Sequence, residues 1–137
     1  MKRTPFLLLF LMVALPACAD APLQMLSAYA AEAAKLQPGF AASAERGRQF
    51  YAERRNAAEK MPSCSTCHTD DPTATGKHVI TSKSIEALAP VAGSRRFTEA
   101  AKAEKWFGRN CKEVVGRECT AAEKADVLRF LLTKAGA

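Results

Sequence analysis

Apolar residues fall at helical spacing in four separate stretches of the 137-residue chain. Over 23–36, Leu23, Leu26, Ala30 and Ala33 or Ala34 form one narrow stripe, which Pro38-Gly39 closes. A second helix is predicted from Ser43, a suitable N-cap, to about Ala58, with Gly47, Phe50, Tyr51 and Arg54 near one another on its surface. A glycine beside an aromatic residue three positions on lets another helix approach closely; without that use it costs about 1 kcal/mol against alanine. A third helix is predicted from Thr98 to about Arg109, with Ala100, Ala103, Trp106 and Phe107 on its apolar side. The last has the clearest start, because Thr120-Ala121-Ala122-Glu123 is a capping box. Ala121, Ala125, Leu128, Leu131 and Leu132 follow, and the Leu128 face is expected against Gly47 and Phe50. Residues 69–94 read as loop, with Val79, Ile80, Ile85 and Leu88 expected to turn inward. No strand–helix alternation is visible, so the predicted class is all-α.

The first residues belong to a different pattern. Lys2 and Arg3 precede an apolar run, Phe6 to Val13, too short to remain as a membrane span. Ala17-Cys18-Ala19 is a cleavage site of the A-x-A kind, with Ala19-Asp20-Ala21 behind it. The division expected is a signal peptide over 1–21, an N-terminal helical extension over 22–42 and one domain over 43–137. Leu15-Pro16-Ala17-Cys18 also reads as a lipoprotein site that would leave Cys18 lipidated, although Pro16 is unusual there. Either way the chain is exported, and a bacterial periplasmic address is expected, soluble or lipid-anchored through Cys18. Net charge is +6, and losing Lys2, Arg3 and Asp20 with the signal lowers it by one. In an exported chain this basicity points to an acidic partner, a membrane surface or a solvated face rather than to nucleic acid.

The chemistry sits at Cys64-Ser65-Thr66-Cys67-His68. C-x-x-C-H is the attachment signature of a c-type haem. Two thiols three residues apart reach both vinyl groups of one porphyrin, and His68 supplies the proximal imidazole. A zinc site would need a second ligand pair, and Cys111 and Cys119, eight apart, match poorly. A thioredoxin-like dithiol would need a βαβ setting. One covalent haem c is therefore the expected cofactor, walled by the apolar loop residues and with Trp106 in the core or at the haem edge. Of five cysteines, Cys18 goes with the signal and Cys64 and Cys67 with the haem. Cys111 and Cys119 remain, and in an oxidising compartment a disulfide is expected. Its short loop contributes only about 2.5 kcal/mol.

The sixth ligand decides function. Electron-transfer cytochromes commonly use methionine, yet Met1, Met12, Met25 and Met61 all precede His68, and Met61 is too close to wrap to the far face. Met25, Lys102 or Lys105 and His78 are the composition-level candidates, a lysine having to lose its proton first. Ten residues reach about 33 Å, so a closed His68/His78 electron carrier is geometrically open. Asn110 is not a ligand that composition suggests.

A resemblance reaches Asn110 where composition does not. Residues 44–137 resemble the sphaeroides haem protein family, the oxygen-binding monohaem cytochromes c. The blocks that carry it are Ala44-Glu45-Arg46-Gly47-Arg48, Pro62 to His68, Leu88-Ala89-Pro90, Arg96-Phe97-Thr98 and Glu104-Lys105-Trp106. Most specific is Gly108-Arg109-Asn110-Cys111 running to Gly116-Arg117-Glu118-Cys119-Thr120 and Glu123-Lys124-Ala125-Asp126. The resemblance implies a small class I-like fold with packed terminal helices around the haem. It also implies Asn110 as distal iron ligand beside a Cys111–Cys119 bridge, binding of O2 or NO, and electron supply from a dihaem c-type and a membrane b-type cytochrome. Oxidation of NO to nitrate is one chemistry within this reading. No clear catalytic acid or base is visible, so enzyme status stays open.

Overall fold

The structure, a computed structural model, describes residues 21–136; Cys18 and all but Ala21 of the expected signal segment lie outside them. Their order is α1 (Ala21–Leu36), α2 (Ala44–Ala52), α3 (Ser65–His68), β1 (Gly76–Lys77), β2 (Ser84–Ile85), α4 (Ala100–Val114) and α5 (Ala121–Ala135). The fold is all-α apart from one small antiparallel ladder pairing Gly76 with Ile85 and Lys77 with Ser84.

α5 is the axis. The capping box forms: Thr120 Oγ1 accepts from the Glu123 amide at 3.2 Å, and Glu123 Oε2 accepts from the Thr120 amide at 2.8 Å. Seven residues of α5 are buried, on two sides. Ala125, Leu128 and Leu132 pack with Met25 and Leu26 of α1 and Ala103 of α4. Val127, Phe130 and Leu131 pack with Tyr51 of α2 and Ala89 of the long loop. Leu128 thus faces α1 and α4, not Gly47 and Phe50 as the spacing suggested. α2 meets the neighbouring side of the helix, with Gly47 against the backbone of Asp126 and Val127. Burying a leucine fully, as at Leu128 and Leu131, stabilises by about 1.5–3 kcal/mol.

A polar lock ties α2 to α5. The Arg46 guanidinium donates to both carboxylate oxygens of Asp126, at 2.7 and 2.8 Å, and the Ser43 amide donates to one of them at 2.7 Å. Asp126 is buried, so these partners offset its desolvation. Ser43 also caps α2, accepting from the Arg46 amide at 3.3 Å.

Four boundaries differ from the sequence reading: α1 starts at Ala21 and not Leu23, and three others lie in α2 and α4. α2 stops at Ala52 rather than near Ala58, because the chain folds back there. The Arg55 amide donates to Pro62 O at 2.7 Å, and its guanidinium stacks 4.3 Å over Phe50 and donates to Phe50 O. Glu53, Arg54 and Asn56 are exposed and give a longer helix no face to bury. α4 starts at Ala100, since Thr98 Oγ1 is spent on Arg95 O in a turn. It then runs past Arg109 to Val114, because Cys111 and Val114 continue the buried stripe. In the loop, Val79 and Ile80 are not part of the protein core: they lie at the hairpin tip, 41% and 58% exposed. Ile85 is half-buried, and Leu88 packs against the core. Trp106 is 42% exposed and is not part of the core.

Candidate haem-attachment site

The C-x-x-C-H motif forms a single helical turn, α3, with Cys64 as its N-cap residue. Backbone bonds from Cys67 and His68 to Cys64 O close the turn at 3.3 and 3.1 Å. The buried Ser63 hydroxyl lies 3.0 and 2.8 Å from those of Ser65 and Thr66 and fixes the start. Helical spacing sends both cysteines and His68 from one short rigid segment, which is what thioether attachment with a proximal ligand needs. Cys64 and Cys67 are the unpaired thiols among the described residues. Cys64 packs against the cluster of Tyr51, Val127 and Leu131, and that burial pushes its thiol up.

Two neighbours clamp the end of the turn. Tyr51 OH donates to Thr69 O at 2.6 Å, where the backbone is left-handed with φ 64°. On the other side, a Cβ on Gly76 would overlap the Cys67 carbonyl oxygen and come 3.1 Å from His68 Cα. Glycine is required there because strand β1 lies directly on the attachment turn.

His68 carries an unsatisfied need. Its Nδ1 is buried with no hydrogen-bond partner among the described residues. Burial, and then the nearby Arg96 guanidinium, push its pKa down to about 4. A neutral imidazole in an apolar setting, beside two unpaired thiols on one turn, fits a covalently held haem with His68 on iron. Arg96 is held by donation to Ala87 O at 3.2 Å and Glu86 O at 3.1 Å, and Ala89 N donates to Pro72 O at 2.9 Å, so the 86–97 loop is pinned to the segment following His68. The roles of Tyr51, Gly76 and Arg96 escaped the sequence reading, because each depends on a contact with the attachment turn or the following loop that only the folded chain makes.

On the other helices the candidate sixth ligands separate. Ala103, Phe107, Asn110 and Val114 share one stripe of α4, and Ala103 and Val114 on it are buried. Phe107 on that stripe packs against the same cluster as Cys64. Asn110 is half-buried, and none of the side-chain hydrogen bonds of the described residues engages its amide. Lys102 and Lys105 are exposed on the opposite side. Met25 is buried among Leu26, Ala103 and Leu128. His78 is drawn into its own turn, with Nδ1 accepting from the Ile80 and Thr81 amides at 3.2 and 3.3 Å. Arg109 points outward, donating to Glu113 Oε1 at 3.0 Å and lying 5.8 Å from the Trp106 ring. Cys111 and Cys119 form a disulfide with Cα atoms 5.7 Å apart, joining the last turn of α4 to the residue before the α5 cap. Neither is therefore free to complete a zinc site, and no cluster of three or more His, Cys, Asp or Glu gathers among the described residues.

Comparison with known proteins agrees with this geometry. Residues 37–131 match the family model described as a domain of unknown function, DUF1924. The chain is 44% identical over 131 residues to the cytochrome c-type protein SHP of Cereibacter sphaeroides, covering 93% of this chain and 97% of that one. The solved structure of oxidized SHP, an oxygen-binding cytochrome c, superposes with a TM-score of 0.73 at 44% identity, over 82% of this chain and 96% of that one. The solution structure of cytochrome c'' from Methylophilus methylotrophus, described in terms of haem-ligand detachment, gives 0.71 at 31% identity, over 83% and 94%. The chain belongs to the sphaeroides haem protein family and is a monohaem c-type cytochrome, with one haem c bound covalently through Cys64 and Cys67.

Proposed function

We propose that this protein is an exported, periplasmic cytochrome that takes up electrons and binds a diatomic of the O2 or NO class, with Asn110 as the displaceable distal ligand. When bound, the haem would supply a redox-active iron, with His68 and Asn110 the residues that would hold it. His68 is the neutral proximal donor, held in place by the Tyr51 and Gly76 clamps on its turn. The observation that carries the reading is the place of Asn110. It lies on the inward stripe of α4 with Phe107, whose ring packs against the cluster that receives Cys64, and its amide is not spent on another side chain or on backbone among the described residues.

An amide oxygen is a neutral, hard donor. Asn110 would therefore hold a ferric iron better than a ferrous one and be the easier ligand to displace once the iron is reduced. The neighbouring Cys111–Cys119 bridge keeps the helix end in place, so the freed amide stays close and can donate a hydrogen bond to an incoming diatomic. Arg109 is turned toward Glu113 and Trp106. By the family resemblance, a dihaem c-type and a membrane b-type cytochrome are the electron donors. SHP is itself described as oxygen-binding, and cytochrome c'' as detaching a haem ligand; both support the same behaviour here.

The test is carbon monoxide added to the dithionite-reduced protein. A prompt and complete Soret shift is expected. No shift would leave a closed iron and return the protein to a plain electron carrier.

A further inference from the structure

We infer that the hairpin over 76–85 is the docking surface for an acidic redox-carrier protein. The inference rests on the electron-uptake half of the proposed function and not on its gas-binding half. Four observations converge on this hairpin. The first is location: β1 lies on the attachment turn so closely that Gly76 has no room for a Cβ beside Cys67 O.

The second is an apolar centre. Val79 and Ile80 are adjacent and exposed by 41% and 58%, although both are large aliphatic residues. The third is charge. Lys77 and Lys83 flank the tip, both exposed and without an ion-pair partner among the described residues, and 76–85 contains no acidic residue. An apolar centre with a cationic rim complements an acidic surface and not a second copy of this net-basic chain.

The fourth is order. The tip is held by its own hydrogen bonds: the His78 amide to Lys83 O at 2.9 Å, the Ser82 amide to His78 O at 2.8 Å, and the two amides donated to His78 Nδ1. Ser82 adopts φ 58° to complete the turn. A pre-ordered tip loses little entropy on binding, which suits a small, short-lived redox encounter. His78 then has a use that needs no iron, as the residue that shapes this tip.

The experiment titrates the 15N-labelled, haem-loaded protein with oxidised flavodoxin, an acidic redox protein, at low and high ionic strength. Amide shifts concentrated at 76–85 and around Cys67 are expected, with a Kd that weakens as salt rises. Lys77→Glu with Lys83→Glu should weaken binding at least about tenfold at low salt. Val79→Ser with Ile80→Ser should weaken it several-fold and leave its salt dependence in place. Lys102→Glu with Lys105→Glu, on the outer side of α4, should leave the affinity unchanged. Shifts centred on α4, hairpin variants that bind as before, no binding at low salt, or self-association through the hairpin would each overturn the inference. The carbon monoxide response is separate: a protein that docks here and ignores the gas keeps this surface and loses the gas-binding reading.

Discussion

Gly47 and Asp126 meet backbone to backbone. A Cβ on Gly47 would overlap the Asp126 carbonyl oxygen and stand 2.9 Å from Val127 N. This contact sets the distance between α2 and α5, and through it the depth at which Tyr51 reaches Thr69 O behind the attachment turn.

Replacing Gly47 by alanine should therefore be costly, because the obstruction is backbone and not a flexible side-chain end. The helix-propensity gain of alanine, about 1 kcal/mol, is outweighed by an overpacking cost of about 3 kcal/mol or more. Denaturant unfolding of Gly47→Ala should show a clear net loss of stability. A variant as stable as the parent would mean that α2 and α5 do not pack as described.

The cap of α5 predicts a response to acid. The Arg117 guanidinium, followed by the Thr120 amide, holds the Glu123 carboxyl below its usual range. A depressed folded-state pKa means that this stabilisation is present above the unfolded value of about 4.3 and is lost as pH falls through the folded one. At pH 7 Glu123→Gln should cost about 1 kcal/mol, and the difference from the parent should shrink as pH falls through the folded value. Melting curves from pH 7 to 3 check it. At the alkaline end Tyr29 behaves oppositely. Burial, then Glu104, holds its hydroxyl well above the ordinary range, so its contribution is intact below about pH 10 and lost as pH rises through the folded value.

Asn110→Ala tests the distal ligand directly. The ferric spectrum should change to that of a five-coordinate or water-bound haem, while the reduced variant still binds carbon monoxide. His78→Ala is the control, and its ferric spectrum should match the parent. An unchanged ferric spectrum in Asn110→Ala, or a changed one in His78→Ala, would reverse the assignment.

The Cys111–Cys119 bridge should matter locally more than globally. Replacing both cysteines by alanine should lower stability by about 2.5 kcal/mol, the chain-entropy value for so short a loop. The same variant should slow recovery of the ferric parent spectrum after reoxidation, because α4 loses its tether beside Asn110. Stopped-flow reoxidation after ligand removal measures this.

Much of the chain could be read before folding, because the signals concerned are local. The haem motif is a chemical spacing, and Cys64, Cys67 and His68 fall on one turn in the structure as that chemistry requires. The Thr120 capping box closes on itself within four residues, and the Ser43 cap likewise, so both appear where expected. The Cys111–Cys119 pair followed from counting thiols in an oxidising compartment. Asn110 was visible only through family resemblance, since nothing about a lone asparagine marks a ligand.

What the chain alone could not decide was which faces meet. A helical stripe names the buried side but not its partner, so Leu128 was matched to α2 when it packs on α1 and α4. The end of α2 at Ala52 depends on Arg55 finding Phe50 and Pro62, a fold-back that no periodicity encodes. Gly76 reads as an ordinary turn glycine until Cys67 is seen against it, and Val79 and Ile80 read as core until the hairpin turns them outward. Hydrogen-bond geometry and covalent reach act between near neighbours and leave their mark in short motifs. Close packing is settled between residues dozens of positions apart, where only the folded chain supplies the partner.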